Sequence, residues 1–106
     1  MTQKRLQSAA VPNVSDRQFF QRLATITPQI ISTTEALNAM RTGTIPAPLQ
    51  TIIDSIADAR ERFAAEMLIS GATTFERNHP LTAVVGAAIG WTSTQIDEFF
   101  IFAASL

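Results

Sequence analysis

The sequence predicts an all-α fold, a small single-domain bundle of four to six short helices with an extended N-terminal arm and a helix-turn-helix-like corner near the C-terminus. Apolar residues recur at steps of three and four along most of the chain. Helix-capping residues precede these segments, and no segment keeps the two-residue alternation of a strand for long. The 106 residues, 46% of them apolar, suffice for one core. We expect residues 1–14 to form the arm and residues 15–106 the helical domain.

The N-terminal segment predicts an extended arm followed by the first helix. The run Val11-Pro12-Asn13 favours extended or turn conformation, because proline disfavours a helical residue before it. Ser15 and Gln18 then have the spacing of a capping box, in which each side chain bonds the other's backbone N–H. We expect this helix to end at Thr27-Pro28.

A second capping box, Ser32-x-x-Glu35, predicts the next helix, and Gly43 is a suitable C-terminal stop. Few residues lie between these signals, so the helix needs tertiary packing to persist. Its apolar set is Ala36, Leu37, Ala39 and Met40.

After a proline-containing linker at residues 44–48, the sequence leaves two possibilities open. Apolar residues at mostly three- and four-residue steps allow one long helix over residues 48–70. Alternatively, Ser55-x-x-Asp58 starts a second helix after Asp54. Gly71 ends the element in either case. The apolar set is Leu49, Ile52, Ile53, Ile56, Phe63, Met67 and Leu68.

The strongest local signals lie near the C-terminus. Residues 72–78 are expected to be irregular with Phe75 buried, and His79-Pro80 begins a helix that stops at Gly90. Thr92-x-x-Gln95 is a third capping box, and Trp91 and Ile96 occupy the hydrophobic-staple positions around it. This pattern predicts a helix-turn-helix-like corner, in which Gly86 allows close approach of the next helix.

Composition excludes several functional classes. The chain has no cysteine, which removes disulfides, zinc fingers and thiol chemistry, and it has one histidine. No pair of carboxylates converges with a third ligand, and His79 has the position of a residue that begins a helix. We therefore expect no enzyme activity, no cofactor and no metal. No signal peptide and no apolar segment long enough for a bilayer is evident, so we expect neither secretion by a signal peptide nor a membrane partner.

The corner has the residue spacing of DNA-binding helix-turn-helix units, but it lacks their charge. No lysine or arginine follows Arg77, and the last helix carries Asp97 and Glu98. Neutralisation of phosphates supplies most non-specific DNA affinity. We therefore expect no nucleic-acid partner, and keep a DNA-binding regulator as an alternative.

The last helix is apolar on every side, while only 16% of all residues are charged, below the roughly 25% usual for soluble domains. Such a helix is either a central core element or is shared with a partner or a second copy. Both possibilities stay open. The residues that we predict at an interface are Leu6, Val11, Val14, Phe99, Ile101, Phe102 and Leu106.

Several stretches also resemble a known group. The stretches are residues 15–23 (SDRQFFQRL), 62–73 (RFAAEMLISGAT), 78–81 (NHPL), 89–93 (IGWTS), 95–97 (QID) and 99–100 (FF). Small uncharacterised proteins of tailed bacteriophages and prophages, encoded among tail and tail-fibre genes, are the group that these stretches resemble. The resemblance covers most of the chain from residue 15 and carries no functional residues. It implies a virion protein assembled in the host cytoplasm, either a structural part or an assembly factor. Its partners would be other phage structural proteins or further copies of itself. A phage-encoded inhibitor of a host protein is a further alternative.

Overall fold

The computed structural model describes residues 11–106, which form six α-helices and one short antiparallel strand pair. The elements are β1 (Val14–Ser15), α1 (Asp16–Thr25), α2 (Thr33–Thr42), α3 (Ala47–Asp54), α4 (Ala59–Gly71), β2 (Thr74–Phe75), α5 (Pro80–Ile89) and α6 (Ser93–Ala104). The predicted all-α fold is confirmed. The strand pair was not predicted, because two residues are too few to show an alternating pattern.

All three predicted capping boxes are present. The side chains of Ser15, Ser32 and Thr92 each accept a hydrogen bond from the backbone N–H three residues later. The backbone N–H of each cap residue donates the reciprocal bond to the side chain of that later residue. At the start of α6, Thr92 Oγ1 lies 3.2 Å from Gln95 N, and Gln95 Oε1 lies 2.8 Å from Thr92 N. These bonds satisfy donors that the first helical turn leaves unpaired, so the helix starts follow directly from the local sequence.

The region between residues 47 and 71 forms two helices. Asp58 caps α4, because its carboxylate accepts a hydrogen bond from Arg60 N at 3.0 Å. Ser55 instead ends α3, where its hydroxyl donates to the carbonyl oxygen of Ile52 at 2.6 Å. The break predicted as one alternative is therefore confirmed, but Asp58 rather than Ser55 begins the second helix.

Aromatic rings form the centre of the core. Phe19 of α1 stacks on Phe75 of β2 with ring centroids 4.1 Å apart, and meets Phe99 of α6 edge-on at 5.5 Å. Phe100 continues this cluster. The predicted burial of Phe75 is confirmed. Since α1 also packs against α2, the cluster links the N-terminal helices to α6.

The end of the predicted arm belongs to the folded domain. Val14 pairs with Phe75, and Asn13 Oδ1 accepts a hydrogen bond from Arg77 N at 3.1 Å. Val14 is only 2% exposed, so the prediction that it lies at an interface is wrong: its side chain is in the core. Leu6, which was also predicted at the arm contact, lies outside the described residues.

Two helices expose large apolar side chains that belong to their predicted apolar sets. Leu37 and Met40 of α2, and Phe63 and Met67 of α4, are exposed. The buried residues are Ala39 in α2, and Ala65 and Ile69 in α4. Both sides of α4 are apolar, so the periodicity predicts a helix but does not say which side faces the core.

Candidate functional site

The corner between α5 and α6 holds the last helix in place. Gly90 adopts a left-handed conformation with φ of 99°, and Trp91 N donates to the carbonyl oxygen of Gly86 at 2.9 Å. This pattern closes α5 and turns the chain sharply. The Trp91 ring then lies 5.2 Å from the Phe99 ring, measured between centroids. The predicted turn is confirmed, and its tryptophan anchors the aromatic cluster.

Gly86 allows α6 to approach α5 closely, as predicted. A Cβ atom added at Gly86 would lie 2.8 Å from Cγ1 of Ile96, which is shorter than real side chains tolerate. Both residues are buried. The small-residue signal therefore reports helix packing within this chain.

Charges at the start of α6 are already paired. Arg77 Nε bonds Asp97 Oδ1 at 2.5 Å, and Arg77 Nη2 bonds the main-chain and side-chain oxygens of Ser93. Glu98 remains exposed on the next turn. This end of α6 therefore offers an acidic side chain, without the basic residues that a phosphate backbone requires.

The two sides of α6 differ. One side is buried in the core and consists of Ile96, Phe99, Phe100 and Ala103. The other exposes Ile101 and Phe102, with 48% and 52% of their surfaces accessible. The core role of this helix is therefore confirmed for one side, and contact with a partner or a second copy stays a prediction for the other side. Phe99 is 2% exposed, so its prediction as an interface residue is wrong, because its ring completes the aromatic cluster.

A groove of about 260 Å³ runs beside the exposed side of α6. The guanidinium carbon of Arg22 lies 4.9 Å from the centroid of the Phe102 ring, a cation–π contact. Arg22 Nε is buried and has no hydrogen-bond partner among the described residues. The other lining residues are Ile26, Thr27, Pro28, Ile30, Trp91, Gln95, Glu98 and Phe99. The groove is thus mainly apolar, and the positively charged Arg22 is one of its lining residues.

The end of α6 is fastened to α1. Arg17 Nη2 donates to the main-chain oxygen of Leu106 at 2.9 Å, and Gln18 Nε2 donates to that of Ala104 at 3.1 Å. The Leu106 side chain remains exposed. We use the name α6 surface for Ile101, Phe102 and Leu106 together with the adjoining groove. Of the other predicted interface residues, Val11 is partly buried against the core.

The chain's one histidine, His79, caps a helix. His79 Nδ1 accepts a hydrogen bond from Leu81 N at 3.1 Å, so the ring caps α5 as its position indicates. Within residues 11–106, no three acidic, histidine or cysteine side chains gather closely enough to hold a metal ion. None of the helices in that range is both long and apolar enough to cross a bilayer.

Comparisons with protein-family models, curated proteins and solved structures find no significant match to this chain. The functional interpretation therefore depends on the α6 surface. Sequence reasoning found Ile101, Phe102 and Leu106 from the apolar last helix. It missed Arg22, because a cation–π contact between residues 80 positions apart has no local sequence signal.

Proposed function

We propose that this chain is a non-catalytic structural or accessory protein of a phage particle, acting through protein–protein contacts at the α6 surface. One observation carries the proposal: Ile101 and Phe102 are about half exposed on a helix whose opposite side is buried. Burial of the remaining apolar area would contribute about 1 kcal/mol per side chain before the entropy cost of association. Contacts with Arg77 at its start and with Arg17 and Gln18 at its end hold α6 in place, so a partner would bind an ordered helix.

The groove indicates what the partner presents. Arg22 is partly exposed, lines the groove and places its positive charge over the Phe102 ring. A partner that places an apolar side chain beside Phe102 would remove apolar area from water. A carboxylate or main-chain carbonyl oxygen on the same partner would pair with the exposed part of the Arg22 guanidinium. The partner is therefore a protein segment that combines an apolar side chain with such an oxygen.

The particle context comes from the resemblance to tailed-phage proteins. A virion protein meets its partners at high local concentration, so modest contact surfaces suffice for assembly. An inhibitor of a host protein would use the same surface chemistry, and the location of the protein distinguishes the two. The DNA-binding alternative has less support. No basic residue follows Arg77, and the charge of Arg77 is already paired with Asp97, so little positive charge remains near α6 to bind phosphates.

Two measurements test the proposal: whether purified particles contain the chain, and whether a variant of the α6 surface is still incorporated. Phage particles purified from the strain that carries the gene should contain the chain by mass spectrometry. The variant Phe102→Asp should be depleted from particles at least tenfold, because a charge would be buried at the contact. Thr94→Asp is the matched control, since it places the same charge on an exposed position of α6.

Circular dichroism and urea unfolding of both variants establish whether they fold. Absence of the wild-type chain from particles at every stage of assembly would contradict the particle role. Equal incorporation of folded Phe102→Asp and Thr94→Asp would remove the α6 surface from the proposal.

A further inference from the structure

The chain enters its described part beside the start of α6. Asn13 Oδ1 accepts a hydrogen bond from Arg77 N at 3.1 Å, and the Arg77 side chain bonds Asp97 and Ser93 near the start of α6. Val11 is partly buried against the core and lies at most about 7 Å from Asn13 along the chain. The N-terminal segment, residues 1–10, therefore joins the folded domain near this end of α6.

The N-terminal segment is long enough to follow α6. A chain spans about 3.3 Å per residue when extended, so Leu6 can reach about 17 Å from Val11. Ile101 lies about 12 Å along the helix axis from Ser93, and its side chain is 48% exposed. Leu6 can therefore contact Ile101. A covalently linked segment also has an effective concentration of about millimolar, so a small contact suffices to hold it.

Charge favours a contact between the N-terminal segment and α6. Residues 1–10 contain two of the eight basic residues of the chain, Lys4 and Arg5, and none of the nine acidic ones. The α6 helix has Asp97 and Glu98 and no basic residue. Asp97 is already paired, but Glu98 is exposed, and so is Glu76 in the loop before α5. The last turn of α6 also lacks a basic residue, although a cation there is favourable to the helix dipole.

A second exposed apolar surface near this point offers no such charge. It is a hollow between α4 and α5, lined by Phe63, Ala64, Met67, Leu68, Ala72, His79 and Leu81. None of these side chains is acidic, so the hollow would leave Lys4 and Arg5 without a partner. The α6 surface therefore fits the N-terminal segment better than the hollow does.

We propose that the N-terminal segment folds back along the α6 surface of its own chain. Leu6 packs on Ile101, and Lys4 and Arg5 lie toward the last turn of α6, at the negative end of the helix dipole. The segment then covers part of the surface that the proposed partner binds, so the partner must displace it. The contact itself does not depend on the proposed phage role, whereas its autoinhibitory effect rests on that function.

Disulfide trapping in the full chain tests the position of Leu6. The chain has no cysteine, so the double variant Leu6→Cys, Ile101→Cys can form only one disulfide within a molecule. At about 1 μM this bond should form about tenfold faster than the bond in Leu6→Cys, Leu37→Cys, whose second cysteine is at an exposed position on α2. Mass spectrometry of the non-reduced monomer measures both rates.

Two outcomes of the trapping experiment overturn the proposed position. Equal rates with Ile101→Cys and with Leu37→Cys would show that the segment does not prefer α6. A faster rate in Leu6→Cys, Phe63→Cys would place the segment at the hollow between α4 and α5. Circular dichroism should show the same helix content in every variant, because the three described positions are exposed.

Thiol labelling tests whether Leu6 and the two basic residues hold the segment on α6. The cysteine of Ile101→Cys should react with iodoacetamide about fivefold more slowly than it does when Leu6→Asp is also present, because the segment covers it for most of the time. Reversal of both charges, by Lys4→Glu with Arg5→Glu, should also speed the reaction, and so should high salt. Leu37→Cys is the matched control, whose rate should not change with Leu6→Asp. An Ile101→Cys rate that does not respond to Leu6→Asp overturns the proposal.

Particle incorporation separates the contact from its effect. In competition with the wild-type chain, Leu6→Asp should be incorporated into particles about threefold more, because its α6 surface is uncovered. Equal or lower incorporation of Leu6→Asp overturns the autoinhibitory effect. Absence of the wild-type chain from particles contradicts the proposed function alone, since the trapping and labelling experiments need no partner.

Discussion

The α5–α6 corner and the α3–α4 segment contain similar helices, but the sequence predicted them with unequal success. At the corner, the turn, the cap and the close approach at Gly86 were all predicted and are all present. In the α3–α4 segment, the break was left open, and the apolar set did not show that Phe63 and Met67 would be exposed. The corner depends on bonds between residues a few positions apart, whereas the segment depends on which neighbour covers which side.

We expect the largest difference in stability between a variant at a buried phenylalanine and a variant at an exposed one. Phe99→Ala in α6 should lower the free energy of unfolding by about 3–5 kcal/mol, because it removes a ring from the aromatic cluster and leaves a cavity. Phe63→Ala in α4 should change the free energy by less than about 0.5 kcal/mol in dilute solution. Urea unfolding at low micromolar concentration measures both. A comparable loss in both variants would mean that α4 is packed more tightly than its exposure shows.

We also expect a glycine-to-alanine substitution to change the stability in opposite directions in the two regions. Gly86→Ala should destabilise the chain by about 1–3 kcal/mol, because the added methyl group overlaps Ile96. Gly71→Ala should stabilise it by about 0.5–1 kcal/mol, since nothing lies within 4 Å and alanine favours the helix. Thermal unfolding of dilute samples measures both. Ile96→Val together with Gly86→Ala should recover part of the loss; no recovery would argue against the close contact.

The smallest effect concerns which residue starts α4. Asp58→Ala should cost about 1 kcal/mol, because it removes the side chain that caps the first turn. Ser55→Ala should cost only a few tenths, since Ser55 is exposed and ends α3. Urea unfolding of the two variants under identical conditions provides the comparison. If Ser55→Ala is the more damaging, the alternative start that the sequence allowed is correct in solution.

The sequence by itself determined the helical class, the three capping boxes and the glycine stops. It also excluded disulfides, because the chain has no cysteine, and placed Ile101 and Phe102 on a helix that is apolar on every side. These features follow from backbone donors, side-chain acceptors and spacing within one or two turns. They need no information about the rest of the fold.

The tertiary structure decided which apolar side faces inward and which distant groups meet. It buried Val14 against Phe75, placed Arg22 over Phe102, and left Phe63 outside. Apolar attraction is non-directional and depends on the area removed from water. A helix that is apolar on two sides can therefore bury either one, and the choice is made by the neighbouring helices.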